Sequence, residues 1–522
     1  MSAKQILEKQ NKDLKIRLEN MAPKFEMRQK DETIKMLQKN ICELEKGMEE
    51  QIKAAAAKAV AEAVAPLIEE LSKAHTEIAR LKAIINKDSS NSSKPSSTNG
   101  FKEIPNSREM STKKQGGQKG HHGSRLKLPE NMAKLEAEGI IERRIVDNTN
   151  GKSEYVSKYT IDIETKVIIT EHRFSKGKIP EAFYNEVSYG ENIKAHTILL
   201  MNEGIVAHKR LSGIISGVTH GTVNLSTGTM NRFQADFAGA LEESKELDAV
   251  KQDLLNGEVM NVDDTSMRVQ ERIVYPDEKN PVEPKKYERA EKKSFKATIR
   301  TYSNEQSTLY TVNPKKDKEG VERDGILPAY MGDLCHDHES KFRNYGKRNG
   351  DCGVHLSRDL KGLSDSYNCP WAEKMRGFVL GMNEHKNNDL LQGITACNPG
   401  KLKEYEAEYD RLLEEGRNAC SQMNEKEWGQ REFNAMLNRL ENYKDNYMLF
   451  LRDYKVPFSN NLAERDLRGV KIKEKVSGLF RSWEGIEDHS TVRSFISTIK
   501  KRGKDLFCSI KKVMRNEPVL ST

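Results

Sequence analysis

Residues 88–100 read Asp-Ser-Ser-Asn-Ser-Ser-Lys-Pro-Ser-Ser-Thr-Asn-Gly. This polar run is punctuated by proline and glycine and holds no side chain able to build a core. It cannot offset the entropy lost on ordering. It is therefore a linker, and the chain on its two sides must satisfy its apolar surface separately.

On the N-terminal side, residues 1–87 are nearly all helix formers, interrupted at Pro23 and Pro66. Val64, Leu71, Ile78 and Ile85 recur at one heptad position, and Leu67, Ala74 and Leu81 at the other. That is a coiled-coil seam of about three heptads. Leu37, Ile41, Leu44 and Met48 form a further apolar stripe upstream. Residues 1–88 are expected to be a coiled coil that makes a homo-oligomer. A helical hairpin folded onto its own chain would satisfy the same pattern.

Charge narrows the class of partner. The net charge of +8 is unevenly placed. Residues 89–128 carry eight Lys/Arg against two acids, and residues 465–515 carry fourteen against six. Positive windows on a negative background suit a polyanion, because neutralised phosphates release counterions. Two solvated basic surfaces would look the same. Within the first window, Lys113, Lys114 and Lys119 surround Gly116, Gly117 and Gly120. Glycines allow close backbone approach to phosphate, so residues 89–128 are expected to be a flexible DNA contact. His121 and His122 lack further ligands at zinc spacing.

The seven cysteines, at 42, 335, 352, 369, 397, 420 and 508, include no C-x-x-C pair. Free thiols in a reducing compartment are expected. No apolar run approaches the roughly 18 residues of a membrane span. A cytoplasmic, nucleoid-associated protein with no membrane contact follows as the expectation.

Beyond the linker the pattern changes several times. Residues 140–147 and 166–174 alternate like short strands, which suggests a small β-rich domain over 129–190. Residues 191–250 return to helical spacing, with a Gly-Val-Thr-His-Gly break at 217–221 and Ser226-Thr227 as a helix cap. A helix-turn-helix and a plain helical bundle both fit. From about 251 an α/β domain is expected to begin. The apolar strand Val259–Val262 is expected to end at Asp263, and residues 294–302 and 308–312 read as antiparallel partners joined by the turn 303–306. Residues 371–455 read as a charged helical insertion, and 456–522 as completion of the core with basic helices. The fold class is multidomain α+β.

Three acids sit where an acid is awkward: Asp263 at a strand end, Asp337 after the strand-like stretch 330–336, and Glu464 opening a helix. Converging carboxylates repel unless cations lie between them. Two divalent ions would relieve the repulsion and clamp a phosphodiester, and Mg²⁺ suits carboxylate ligands. The residues alone do not single out this trio among 79 acids. On the Glu464 helix, Arg468 and Lys471 fall at i+4 and i+7 on the same face, Arg465 adjoins it, and Lys473 and Lys475 extend the basic run. Arg481 and Trp483 follow. Trp483 is a candidate for stacking on an unpaired base, whereas Phe480 reads as a core anchor.

In order and combination, these motifs resemble the large transposases of the IS66 family of insertion sequences, which belong to the DDE type. The resemblance lies in Asn91-Ser92-Ser93-Lys94-Pro95-Ser96-Ser97 with the Gly-Gly-Gln-Lys-Gly-His tract, and in Val262-Asp263-Asp264-Thr265. It continues in His336-Asp337 followed by Cys352-Gly353-Val354-His355-Leu356, and in Asn460-Asn461-Leu462-Ala463-Glu464-Arg465 with Ser477-Gly478-Leu479-Phe480. Position 264 is Asp where the family commonly has Glu, and residues 129–190 lack the cysteines of a family zinc finger.

The resemblance implies a ribonuclease-H-like α/β catalytic core spanning 251–370 and 456–522, interrupted by the helical insertion. Asp263, Asp337 and Glu464 would be catalytic and metal-holding, with two Mg²⁺ ions for which Mn²⁺ could substitute. The implied partners are double-stranded DNA, as terminal inverted repeats and target, and accessory transposition proteins. The implied activity is cleavage and strand transfer at insertion-sequence ends. A non-catalytic DNA-binding coiled-coil protein and a nuclease that only hydrolyses are the alternatives. Cys352 and His355 alone are too few for a metal centre, and helix packing is the expected role for them.

Overall fold

A computed structural model describes residues 185–275, 289–367, 369–423 and 428–520 as continuous runs, together with 127–148, 156–175 and scattered positions elsewhere. The linker and Lys113, Lys114 and Lys119 lie outside the described residues. The described positions between 70 and 85 are helical. There Leu71, Ala74, Leu81 and Ile85 pack against the buried Ile78, which is the stripe formed by the heptad positions.

The strands expected at 140–147 and 166–174 are a correction. The described residues of 139–175 form no strand, and a six-residue helix, Met132–Ala137, precedes them. Alternation makes a strand only where a ladder and a core receive it. Here Ile145, Ile163, Ile168 and Ile169 are between 74% and 92% exposed.

Four helices precede the sheet: α1 (Glu191–Asn202), α2 (His208–Val218), α3 (Thr227–Glu243) and α4 (Glu246–Asn256). Ser226 caps α3, its hydroxyl accepting the Thr229 N–H at 3.1 Å. The strands are β1 (Val259–Tyr275), β2 (Arg289–Ser303), β3 (Thr308–Asn313), β4 (Asp333–His336) and β5 (Arg348–Asp351), with α5 (Lys318–Asp324) between β3 and β4. The sheet order is β3-β2-β1-β4-β5. β1, β2 and β3 are antiparallel neighbours, whereas β4 and β5 run parallel to β1. The turn read at 303–306 joins β2 to β3, pairing Ser303 with Thr308. β1 does not end at Asp263. It continues to Tyr275 because β2 pairs with it as far as Arg289.

After β5 come α6 (Gly353–Tyr367), α7 (Pro370–Leu391), α8 (Pro399–Ser421), α9 (Trp428–Asn442) and α10 (Lys444–Arg452). Their inward faces, among them Leu360, Trp371, Met375, Tyr409, Leu437 and Met448, bury one another in a core of their own. The chain then returns to the sheet through α11 (Asn461–Ser477), α12 (Trp483–Lys501) and α13 (Leu506–Met514). The main core joins Ala195, Phe237 and Leu254 of the preceding helices to Met260, Val262 and Leu334 of the sheet and to Phe495 and Val513 of the last helices. The helices of 191–256 therefore share their core with the sheet.

β3 lies at one edge of the sheet, and α12 runs along it. The Thr308 and Tyr310 N–H groups donate to Thr498 Oγ1 at 3.1 Å and Ser494 Oγ at 2.9 Å. Thr498 Oγ1 also donates to the Thr308 carbonyl at 3.2 Å. Two hydroxyls four residues apart on one helix face thus serve backbone groups that a further strand would otherwise take.

Candidate active site

Parallel pairing of β1 with β4 sets Val262 beside His336, so the next residues, Asp263 within β1 and Asp337 just past the end of β4, follow side by side. The third element arrives through Asn460, which is fully buried. Its side-chain amide donates to the Val262 carbonyl at 2.7 Å, and its Oδ1 accepts from Asn261 Nδ2 at 3.0 Å. Its backbone N–H donates to Cys352 Sγ at 3.3 Å, and its carbonyl accepts from the Glu464 N–H at 3.1 Å. One residue therefore locks the start of α11 to β1 through its side chain and to the head of α6 through its backbone N–H. Gly353 tightens the same junction. Its N–H donates to the Phe458 carbonyl at 2.8 Å, and a Cβ there would run into the Phe458 ring.

The electrostatics record the convergence. Asp263 is pushed up to about 7, by burial first and then by the Asp337 carboxylate; Lys471 lowers it, while Glu464 and Asp264 raise it further. Asp337 is also raised, by burial and then by Glu339, against the Glu339 N–H that its Oδ1 accepts at 3.1 Å and against His355 and His336. Glu464 Oε1 is buried without a hydrogen-bond partner and lies 3.6 Å from His355 Nδ1. Among the described residues, neither Asp263 nor Asp337 has a Lys or Arg ion-pair partner.

Neighbouring acids differ in this respect. Side chains alternate across a strand, so Asp264 turns away from Asp263 into a buried nest of Lys341 at 2.7 Å, Lys316 at 3.1 Å and Arg300 at 3.5 Å. Asp333 is held by Arg348, with Nε at 2.8 Å, and Asp466 by Lys501 at 2.7 Å. Those three carboxylates have their charge matched within the protein. Among the described residues, Asp263, Asp337 and Glu464 have no such Lys or Arg ion-pair partner.

The basic residues of α11 divide by direction. Arg465, Arg468, Lys471 and Lys475 are exposed. Lys473 is a correction: it is 6% exposed, its pKa is lowered by burial, and it cannot serve as a phosphate contact. At about 100° per residue, position 473 is half a turn from Glu464 whereas 471 and 475 flank it, so helical geometry alone carried the signal. Arg481 is exposed. Trp483 is half-buried against the cluster containing Phe480, and its Nε1 donates to Glu487 at 2.7 Å, so it packs at the head of α12. Phe480 is a core anchor, bridging backbone to backbone with β1.

The sequence reading passed over Asn460 and Asn261 as functional positions, and it underrated His355. Asn460 stands in the Glu464 motif, but its buried, three-way bonding has no signature in spacing.

A family model described as Transposase IS66 family matches residues 186–488. The chain belongs to the IS66 transposase family. The matched span takes in all three acids, the sheet and the inserted helices of this transposase. A second model, a family of unknown function (DUF6444), matches residues 28–127. No curated protein and no solved structure matches the chain. No described helix is long and apolar enough to cross a membrane.

Proposed function

We propose that this IS66-family chain is a DDE transposase, which cleaves DNA at the ends of an insertion sequence and joins the freed 3′-hydroxyl to target DNA. The observation that carries this is the contrast among acids: Asp263, Asp337 and Glu464 converge without a Lys or Arg ion-pair partner among the described residues, while Asp264, Asp333 and Asp466 beside them are neutralised. The strand order, with three antiparallel strands followed by two parallel to the first, supports a ribonuclease-H-like core.

Asp263, Asp337 and Glu464 would hold two Mg²⁺ ions, for which Mn²⁺ could substitute. Bound there, the ions supply charge neutralisation at a reacting phosphodiester. The chain's own residues do the rest. Asn460 fixes the separation between the strand-borne and helix-borne acids. Lys471, close enough to act on Asp263, and the exposed Arg465, Arg468, Lys475 and Arg481 would hold the DNA backbone against that site. Lys113, Lys114 and Lys119 would add contacts from the linker side, and the N-terminal heptads would pair chains.

The test uses full-length protein and duplexes bearing the element's terminal repeats. Nicking and joining to a plasmid in Mg²⁺ are expected. Asp263→Asn, Asp337→Asn and Glu464→Gln are each expected to abolish nicking while leaving the DNA mobility shift in place. Native cutting rates in all three variants would refute the proposal, and nicking without joining would reduce it to a hydrolytic nuclease.

A further inference from the structure

Glu464 faces two ways. Beyond the acids of β1 and β4, its carboxylate meets the first turn of α6, where Cys352 and His355 stand three residues apart on one helix face. Cys352 Sγ, His355 Nδ1 and a Glu464 carboxylate oxygen all lie within 4.8 Å of one another. Two of these atoms, His355 Nδ1 and Glu464 Oε1, are buried and have no hydrogen-bond partner, although they face each other at 3.6 Å. Burial lowers the His355 pKa and favours a neutral ring; with its proton on Nε2, Nδ1 and the Glu464 oxygen are both electron-rich and repel unless something positive lies between them. A hydrogen bond at that separation is too long to do this.

We propose that Cys352, His355 and Glu464 form a binding site for a thiophilic divalent cation of the zinc class, with a fourth position open to water. Sulfur, imidazole and carboxylate together are a donor set that Zn²⁺ accepts and Mg²⁺ does not. Tetrahedral Zn²⁺ requires ligand–ligand separations of about 3.3–3.6 Å, so the three atoms need to close by at most about 1.5 Å. Burial pushes the Cys352 thiol up to about 11, so a bound dication would have to supply the charge that holds the sulfur deprotonated. Cys352 sits at the start of α6, and its Sγ accepts the Asn460 N–H at 3.3 Å. The residue whose side chain anchors α11 to β1 thus orients the sulfur with its backbone N–H. Sequence spacing could not show the site, because its third ligand lies 109 residues beyond His355.

The site shares Glu464 with the carboxylate trio. Resting on the proposed function, zinc bound here would withdraw Glu464 from the Mg²⁺ ions and inhibit nicking. Binding itself does not depend on that function and is tested apart from it.

Metal-free full-length protein is titrated with Co²⁺, and the sulfur-to-cobalt charge-transfer and ligand-field absorption are followed. One equivalent is expected to give a four-coordinate spectrum that Zn²⁺ abolishes by displacement and excess Mg²⁺ leaves unchanged. Cys352→Ser should lose the charge-transfer band, and His355→Ala should weaken Co²⁺ binding by ten- to a hundredfold. Circular dichroism melts run on both variants confirm that each is folded. If Cys352→Ser misfolds, Glu464→Gln carries the test, because it should lose the four-coordinate spectrum while keeping all cysteines. Retention of the full charge-transfer band in folded Cys352→Ser, or absence of any one-equivalent spectrum in the native protein, overturns the site. Zinc binding with no effect on nicking would leave the site standing and overturn its regulatory role.

Discussion

Replacing Asn460 with alanine removes the side chain that hydrogen-bonds the start of α11 to β1. Two hydrogen bonds go with it, from Nδ2 to the Val262 carbonyl at 2.7 Å and from Asn261 Nδ2 to Oδ1 at 3.0 Å. Both are buried, so no water takes over at once. The Val262 carbonyl loses one partner, and the Asn261 amide is left in a buried site without an acceptor. At about 1–3 kcal/mol for each group stranded in this way, Asn460→Ala should destabilise the folded chain by about 2–6 kcal/mol. Denaturant unfolding followed by circular dichroism is the assay. Asn261→Ala should cost less, because its partner keeps the Val262 bond, and the double variant should fall short of the sum by about 0.5–3 kcal/mol. Nicking should suffer beyond the loss of stability, since a shift of about 1 Å in the helix-borne acid can reduce a rate by roughly a hundredfold. Independent, additive effects of the two substitutions, or an Asn460→Ala protein as stable as the native one, would refute this account of the junction.

Asp263 ties stability to pH. Its folded-state value of about 7 lies above the ordinary 3.8, so the folded chain holds this proton more tightly than the unfolded chain does. The carboxyl therefore costs stability progressively as pH rises from about 4 to 7, and the full cost persists above that. Asp263→Asn removes it: metal-free variant should be more stable than metal-free native protein at pH 8, by at most a few kcal/mol, with the gain shrinking toward pH 4. A variant less stable than native protein at pH 8 would contradict this. Asp264→Asn should do the opposite, leaving Lys341, Lys316 and Arg300 short of a buried counter-charge and costing about 3–5 kcal/mol. Thermal melts check this, and an unchanged melt with lost nicking would make Asp264 a site ligand after all.

The sheet was legible where local signals sufficed. Alternation over 294–302 and 308–312 and the polar turn between them gave the hairpin of β2 and β3, and the burst of apolar residues before Asp263 gave the start of β1. The same alternation misled over 140–147 and 166–174, because period two reports a side-chain pattern and not the presence of a partner. The acids were legible only as motifs. What distinguishes them physically, the absence of a Lys or Arg partner, depends on residues such as Lys341 and Arg348 that contact their neighbours from distant positions. Asn460 and the triad of Cys352, His355 and Glu464 depend in the same way on α6 and α11 meeting across the inserted helices.

The hydroxyls of Ser494 and Thr498 have a consequence for the protein as one molecule among many. An open sheet edge is a template on which another chain can add a strand, and edges left bare invite aggregation. A lysine or proline on β3 would blunt that edge at the expense of the ladder with β2. The α12 hydroxyls leave the ladder whole and occupy the outward backbone groups directly. The protection is reversible, since it lasts only while α12 stays docked. A chain whose C-terminal helices had not yet formed or had come loose would expose β3 ready to pair, so truncation before residue 490 should make the protein self-associate through its sheet.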